Sequence, residues 1–328
     1  MSNWIVITGV TGVQASGGSV ASTYLQLPGW KVRGVTRNPS SPKAMELQAR
    51  GVEIVYGDLN YPDSLEAAFQ NATIIFGVTD FWTIFQDAES MTKKRPDQDL
   101  TEYCFEVEVQ QGKNLAEAAA RIPTLERFVF SSMASANKWS KGKFPRVYHM
   151  DSKAVVVEHV RSLPGLKDRF SQIQAPIYFN LLWQWGLPTT PKKQAEGSYR
   201  ISGVGPADIP VPFGDVQNDF GRCVKAVVDG LPGLNLLAVG EFLSWEAYLD
   251  IWCQSQGVPN GGYDQHTIES FEKLLPGGLG REFGENVLFA QQFGYDGGDP
   301  TVVRPSQFGI EMTSFKEYCE RTDFSPIL

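Results

Sequence analysis

Along the first half of the chain, short apolar runs alternate with segments whose apolar residues recur at helical spacing. Trp4–Thr8 reads as a strand, closed by a glycine-rich turn, with a helix expected from about Gly18. Lys31–Thr36 is a second expected strand, followed by a helix over Pro42–Ala49. Val52–Tyr56 and Ala72–Val78 are the third and fourth strands, and a short helix over Pro62–Phe69, opened by its proline, separates them. A long helix is expected over Leu100–Ala120, where Ala118, Ala119 and Ala120 add propensity. Phe128–Phe130 then reads as a fifth strand, Ser152–Val160 as a helix and Gln172–Phe179 as a sixth strand.

Strand and helix in regular alternation imply parallel strands joined by crossover helices, hence the α/β class and a doubly wound parallel sheet. The strands are apolar on both sides, as in a sheet covered on both faces. After Asn180 the pattern changes: Gly203-Val204-Gly205-Pro206 and Pro276-Gly277-Gly278 are turn-rich, and loops lengthen. The expected division is a nucleotide-binding domain over 1–180 and a smaller α+β substrate lobe over 181–328 that partly returns to the sheet. A chain of 328 residues suits one large domain with a smaller one appended.

Composition narrows the function classes. Hydrophobic residues at 42% and charged residues at 20% supply a sizeable core and exclude a disordered chain. A net charge of −8 argues against a nucleic-acid partner, which needs a clustered positive field. Cys104, Cys223, Cys253 and Cys319 show no CxxC spacing, and the histidines are only His149, His159 and His266, so a metal site is poorly supplied. No run reaches the length of a membrane span, and the first residues lack the regions of a signal peptide. The expectation is a cytoplasmic protein that acts on a small molecule, with room for a protein partner or a homodimer.

The turn after the first strand reads Thr8-Gly9-Val10-Thr11-Gly12-Val13-Gln14-Ala15-Ser16-Gly17-Gly18. Glycines between a strand and a helix allow a tight turn and let a pyrophosphate approach the helix N-terminus. This is a Rossmann dinucleotide signal, and Gly9, Thr11, Gly12, Gln14 and Gly17 are its candidate cofactor-binding residues. The second strand ends on Thr36-Arg37-Asn38, without the acidic residue that holds a ribose 2′-hydroxyl in NAD-selective folds. Arg37 instead offers a guanidinium suited to a 2′-phosphate, which favours NADP(H) over NAD. Asp58 and Leu59 after the third strand, and Val78 and Thr79 after the fourth, extend the candidate cleft.

These pieces, together with Thr36-Arg37-Asn38-Pro39, Gly57-Asp58-Leu59, Phe130-Ser131-Ser132 and His149-Met150-Asp151-Ser152-Lys153, resemble the NmrA-like family. That family is a branch of the atypical short-chain dehydrogenase/reductases, related to isoflavone-reductase-like enzymes. The resemblance is close over Asn3–Asn180 and looser beyond. Two departures stand out. Ala15-Ser16 lengthen the glycine turn, and His149 stands where the wider superfamily has the tyrosine of Tyr-x-x-x-Lys, with Tyr148 one residue off. The resemblance implies that Lys153 contacts the nicotinamide ribose, that a serine near Ser131, Ser132 or Ser135 meets a substrate oxygen, and that Asn114 supports a water chain. Some members of the family are redox-sensing regulators and others reductases.

From the residues themselves, Lys153 suits a cofactor or acid–base role, and His149 lies one helical turn before it. His149 and Tyr148 are rival proton donors, with Ser132 as a further catalytic candidate. Phe81, Trp82 and Phe85 follow the fourth strand, Trp139 the fifth, and Tyr178, Phe179, Trp183 and Trp185 the sixth. Convergence at strand ends suggests an aromatic substrate pocket, with Tyr178 nearer the cofactor. Three functions stay open: an NADPH-dependent reductase of an aromatic or polycyclic molecule, plausible in secondary metabolism; an NADP(H)-sensing regulator; and a non-redox enzyme with a structural nucleotide.

Overall fold

The computed structural model describes residues 3–12, 16–180, 183 and 186–328. Its first six strands are β1 (Asn3–Thr8), β2 (Trp30–Thr36), β3 (Glu53–Tyr56), β4 (Ile74–Gly77), β5 (Arg127–Ser132) and β6 (Phe170–Gln174). The helices among them are α1 (Ser16–Leu25), α2 (Pro42–Ala49), α3 (Pro62–Ala68), α4 (Phe81–Gln86), α5 (Ala88–Lys93), α6 (Leu100–Ala120), α7 (Ala136–Trp139) and α8 (Tyr148–Ser162). The second half supplies β7 (Ile177–Tyr178), β8 (Lys192–Lys193), β9 (Tyr199–Val204), β10 (Val211–Gly214), β11 (Asn235–Leu237), β12 (Glu241–Leu243), β13 (Asn260–His266) and β14 (Val302–Val303).

Eight strands form one parallel sheet in the order β14-β11-β6-β5-β4-β1-β2-β3. Alternation along each strand feeds two cores. Ile5, Ile7, Ile74, Phe76 and Val129 face α1 and the helix Val216–Asp229. Val6, Ile75, Phe128 and Phe130 face α3, α6 and α8. The chain is therefore an α/β protein with a doubly wound, Rossmann-like sheet, and β11 and β14 extend that sheet from the second half. Two three-stranded sheets, β12-β10-β7 and β13-β9-β8, make up the smaller mixed part. Its core is aromatic, with Phe213, Trp245, Tyr248, Trp252 and Phe315 buried together. Among the described residues no helix is long and apolar enough to cross a membrane.

Three elements differ from the sequence expectation. The sixth strand is not continuous over Gln172–Phe179: β6 ends at Gln174, and Ile177–Tyr178 pairs with β10 in a different sheet. Pro176 lies at the break, where a residue without an N–H and with a fixed φ ends a ladder. Residues after β4 are helical, because Asp80 accepts hydrogen bonds from the amides of Trp82 (3.1 Å) and Thr83 (3.2 Å), and Asp87 accepts one from Glu89 (3.0 Å). Finally, α8 starts a turn before the expected Ser152, so Tyr148, His149 and Lys153 share one helix.

Candidate functional site

The strand order reverses between β1 and β4, and such a switch point opens a crevice at the C-terminal strand ends. A cavity of about 290 Å³ lies there. Thr8, Gly9, Thr11, Gly12 and Ser16 line it from the glycine turn, Thr36, Arg37, Asp58 and Leu59 from the ends of β2 and β3, and Val78 and Asp80 from the end of β4. Thr83 and Ile84 of α4 and Gln111 of α6 close its far side. At the floor, the Thr8 hydroxyl accepts from the Val78 amide (2.8 Å) and bonds the Val78 carbonyl (3.2 Å), tying β1 to β4.

Local sterics explain the glycines. Gly9 has φ +63°, in the left-handed region, and the Gly12 amide donates to its carbonyl at 3.0 Å. A Cβ on Gly17 would stand 2.7 Å from that same carbonyl oxygen. Gly17 thus permits the close approach of α1 to the turn and does not itself line the cavity. Gln14, a further candidate in this turn, and Trp185 lie outside the described residues.

Arg37 is exposed at the rim and makes no ion pair among the described residues. Lys43, near the start of α2, donates to the Gly12 carbonyl at 3.0 Å, and partial burial pushes its ammonium pKa down. Together they place two cationic side chains near the glycine turn. The Asp58 loop is braced from α6: Asn114 donates to the Leu59 carbonyl at 2.8 Å and Gln111 to Asn60 at 3.1 Å. Asn114 thus holds the loop that follows β3.

The acid–base candidates sit on α8. Its first amides, Tyr148 and His149, donate to the Glu282 carboxylate at 3.1 and 2.8 Å. Glu282 lies on the helix Leu279–Phe293, is fully buried, and also meets His149 Nδ1 at 2.5 Å. A carboxylate accepts only, so Nδ1 carries a proton toward Glu282 and Nε2 is the ring nitrogen this contact leaves open. Around the imidazole lie Trp82 (ring centroids 5.2 Å apart) and Phe81 (6.2 Å), with Trp82 stacked on Phe283 at 5.1 Å. One turn further, Lys153 Nζ donates to Glu108 of α6 at 2.5 Å, and Ser152 bonds the same carboxylate. Glu108 is also fully buried, and stands one turn before Gln111 at the cavity wall.

The rival donor is directed elsewhere. The Tyr148 ring packs on Phe105 at 5.7 Å, and burial raises its hydroxyl above the ordinary phenol range. Ser132 falls on the α8-facing side of β5 and Thr79 just past β4; both hydroxyls are buried and without a hydrogen-bond partner among the described residues. Ser135 caps α7 and bonds Asp151 at 2.8 Å, and burial pushes the Asp151 carboxyl up to about 6. Tyr178 is buried on the α1 side, with its hydroxyl raised by burial and then by the Asp80 carboxylate.

The six aromatic candidates do not converge on one pocket. Phe81, Trp82 and Phe85 join a cluster with Leu100, Cys104 and Phe283 beside His149. Phe179 is core, stacked on Phe213 at 6.2 Å; Trp139 packs on that same core; and Trp183 donates to the Tyr318 hydroxyl at 3.1 Å. The break in the sixth strand carries the chain, and with it Phe179 and Trp183, toward the second sheet's core.

Sequence reasoning missed Glu108, Glu282 and Lys43. Glu108 sits in a helix rich in glutamate, where one buried carboxylate looks like its solvated neighbours. Its available signal was its place on the apolar stripe with Cys104, Gln111 and Leu115. No local signal marks Glu282, whose partners lie 133 and 134 residues away.

Comparison with known proteins agrees with this architecture. The description "NmrA-like family" matches residues 1–325. An NmrA-like family domain-containing protein of Dictyostelium discoideum is 26% identical over 334 residues, 99% of each chain. The NmrA-like family domain-containing oxidoreductase himF of Aspergillus japonicus is 30% identical over 267 residues, 77% of this chain and 73% of that one. The oxidoreductase lnaB of Aspergillus flavus is 30% identical over 230 residues, a match spanning only 63% of its own length. Among solved structures, NmrA, a negative transcriptional regulator, in complex with NADP superposes with TM-score 0.73 at 20% identity, covering 98% of this chain and 95% of that one. Leucoanthocyanidin reductase of Vitis vinifera with NADPH gives 0.66 at 16% identity, covering 97% and 98%. With the family's pattern running almost from end to end, this chain belongs to the NmrA-like family.

Proposed function

We propose that this protein is an NADPH-dependent reductase of a flat aromatic or polycyclic small molecule, reducing a carbonyl, imine or activated alkene. The observation that carries this reading is the buried His149–Glu282 pair at the start of α8. It lies behind α4, whose Thr83 and Ile84 line the cavity at the switch point. NADP(H) fits the residues present. The turn Gly9–Gly12 leaves no Cβ in the way of a pyrophosphate at Gly9 and Gly12, and Arg37 and Lys43 stand ready for a 2′-phosphate. Relatives named oxidoreductases and an NADPH complex of a reductase support the same reading.

When bound, the nicotinamide supplies the hydride. Glu282 holds Nδ1–H and fixes the ring orientation, and in the imidazolium form, whose charge the Glu282 carboxylate balances, the second proton on Nε2 passes to the substrate oxygen or nitrogen and leaves a neutral ring protonated on Nδ1. Trp82 and Phe283 exclude water around the imidazole and offer a flat apolar face. Lys153, held by Glu108, fixes α8 against α6. A second reading, an NADP(H)-sensing regulator, draws on Lys153 as well, because an ammonium already bonded to a carboxylate is less available to a ribose.

Calorimetric titration with NADPH, NADP, NADH and NAD, then NADPH consumption with aromatic ketones, imines and enones, tests the reading. The expected result is preference for NADPH, turnover with a member of the panel, and about a hundredfold lower kcat in His149→Asn with NADPH affinity kept. Tight NADPH binding with no turnover across the panel transfers the assignment to the regulator. No nucleotide binding at all overturns both.

A further inference from the structure

A dinucleotide lies across a switch point of this kind, with one mononucleotide half over the strands on each side. The cavity here reaches only one of those sides. Its lining comes from the glycine turn, from the ends of β2, β3 and β4, and from α4 and α6. Among the described residues none of β5 or α8 takes part in it. The side over β1, β2 and β3 is open, and the way toward β5 and α8 is closed.

The element in the way is α4. Thr83 and Ile84 face the cavity, whereas Phe81 and Trp82 pack on the His149 ring, with centroids 6.2 and 5.2 Å away. His149 is consequently only 6% exposed. A nicotinamide that is to deliver hydride beside His149 has to enter the space that α4 fills.

The construction of α4 suits it to move as a unit. It has six residues, too few to hold a helix by its own backbone bonds. Its cap is internal: Asp80 accepts from the amides of Trp82 and Thr83 and from the Thr83 hydroxyl at 2.7 Å, so the cap travels with the helix. Asp87, with an extended backbone (φ −72°, ψ 118°), separates it from α5. Over His149 it is held by the Trp82–Phe283 stack, whose centroids are 5.1 Å apart and whose ring planes differ by 10°. Closure buries Phe81 and Trp82, so α4 stays shut until a ligand takes the space.

We propose that α4 is a gate over the nicotinamide half of the nucleotide site, closed by the Trp82–Phe283 stack and displaced by the nicotinamide half of NADP(H). The inference rests on the NADP(H) reading above and adds an order to it: the nucleotide enters first, and a substrate reaches His149 only afterwards. Part of the nucleotide's binding free energy is spent on opening, so anything that loosens the closed stack should tighten binding of the whole dinucleotide. A ligand confined to the adenosine half should not feel the gate.

Two ligands separate the halves: NADPH, and adenosine 2′,5′-bisphosphate, which keeps the adenosine and its 2′-phosphate without the nicotinamide. Both are titrated into the full chain by calorimetry, and hydrogen exchange of the amides over Trp82–Asp87 is followed with each at saturation. NADPH should raise exchange there, and the bisphosphate should leave it unchanged. Trp82→Ala removes the stack, so it should tighten NADPH binding about fivefold, within the worth of one aromatic pair, and leave the bisphosphate affinity as in wild type. Phe283→Leu weakens the stack from the other side, should act in the same direction, and decides alone if Trp82→Ala does not fold. The same exchange pattern with both ligands, or NADPH affinity unchanged or weakened in the folded variants, overturns the gate and leaves the NADP(H) reading standing. Binding of neither ligand overturns that reading, and the gate with it.

Discussion

The cavity at the switch point and the start of α8 solve opposite problems. At the cavity, neither Arg37 nor Lys43 has an ion pair among the described residues, and Lys43 donates to the Gly12 carbonyl, so positive charge is left for a ligand to meet. At α8, His149 and Lys153 each meet a fully buried carboxylate from another helix, so their partners are already inside the protein. Removing a group from the first region should cost affinity. A loss from the second should cost stability, because the carboxylate left behind is buried and uncompensated.

The largest effect expected is from Lys153→Ala, which strands Glu108. It should destabilise the fold by about 3–5 kcal/mol, read from denaturant unfolding, and the Glu108→Gln, Lys153→Met double variant should recover most of that loss. An unchanged midpoint in Lys153→Ala would show that Glu108 does not depend on it and erase the contrast between the regions.

A smaller effect belongs to Asp151, on the same helix. Burial raises its carboxyl from 3.8 to about 6, so the folded state favours the protonated form. That stabilising contribution is complete below pH 3.8 and is lost as pH rises through about 6. Asp151→Asn keeps an acceptor for Ser135 and removes the ionisation. It should be more stable than wild type above pH 6, by up to about 3 kcal/mol, with the gap closing toward pH 4. Parallel pH–stability curves for the two proteins would refute this.

The smallest effect is at the cavity. Arg37→Ala should weaken NADPH binding about tenfold, roughly 1.4 kcal/mol, with little change for NADH and none in unfolding midpoint. An equal loss for both nucleotides would remove the 2′-phosphate from the account of Arg37.

The same contrast explains what the sequence revealed. Helix α2 runs over Pro42–Ala49 as expected, because Ser41 caps it locally, accepting from Ala44 at 3.3 Å, and Pro42 presets the first turn. Helix α6 likewise matches Leu100–Ala120, a long stretch with its own periodicity. The glycine turn and Arg37 were legible for the same reason: their chemistry is local to a strand end. Helix α8 was read a turn short, because Val147 offers no side-chain cap and the carboxylate doing that work comes from Glu282. The aromatic residues misled in a different way. Trp82 and Phe179 both follow strands, and only tertiary packing sends one beside His149 and the other into the core beneath Phe213.

Glu282 also sets an order of events during synthesis. Its partners on α8 leave the ribosome 133 and 134 residues earlier. Until Glu282 follows, the first amides of α8 have water in place of their carboxylate, and the His149 ring is free to turn. A nascent chain can close its glycine turn early, but the His149 ring takes up a fixed orientation only once Glu282 has been made.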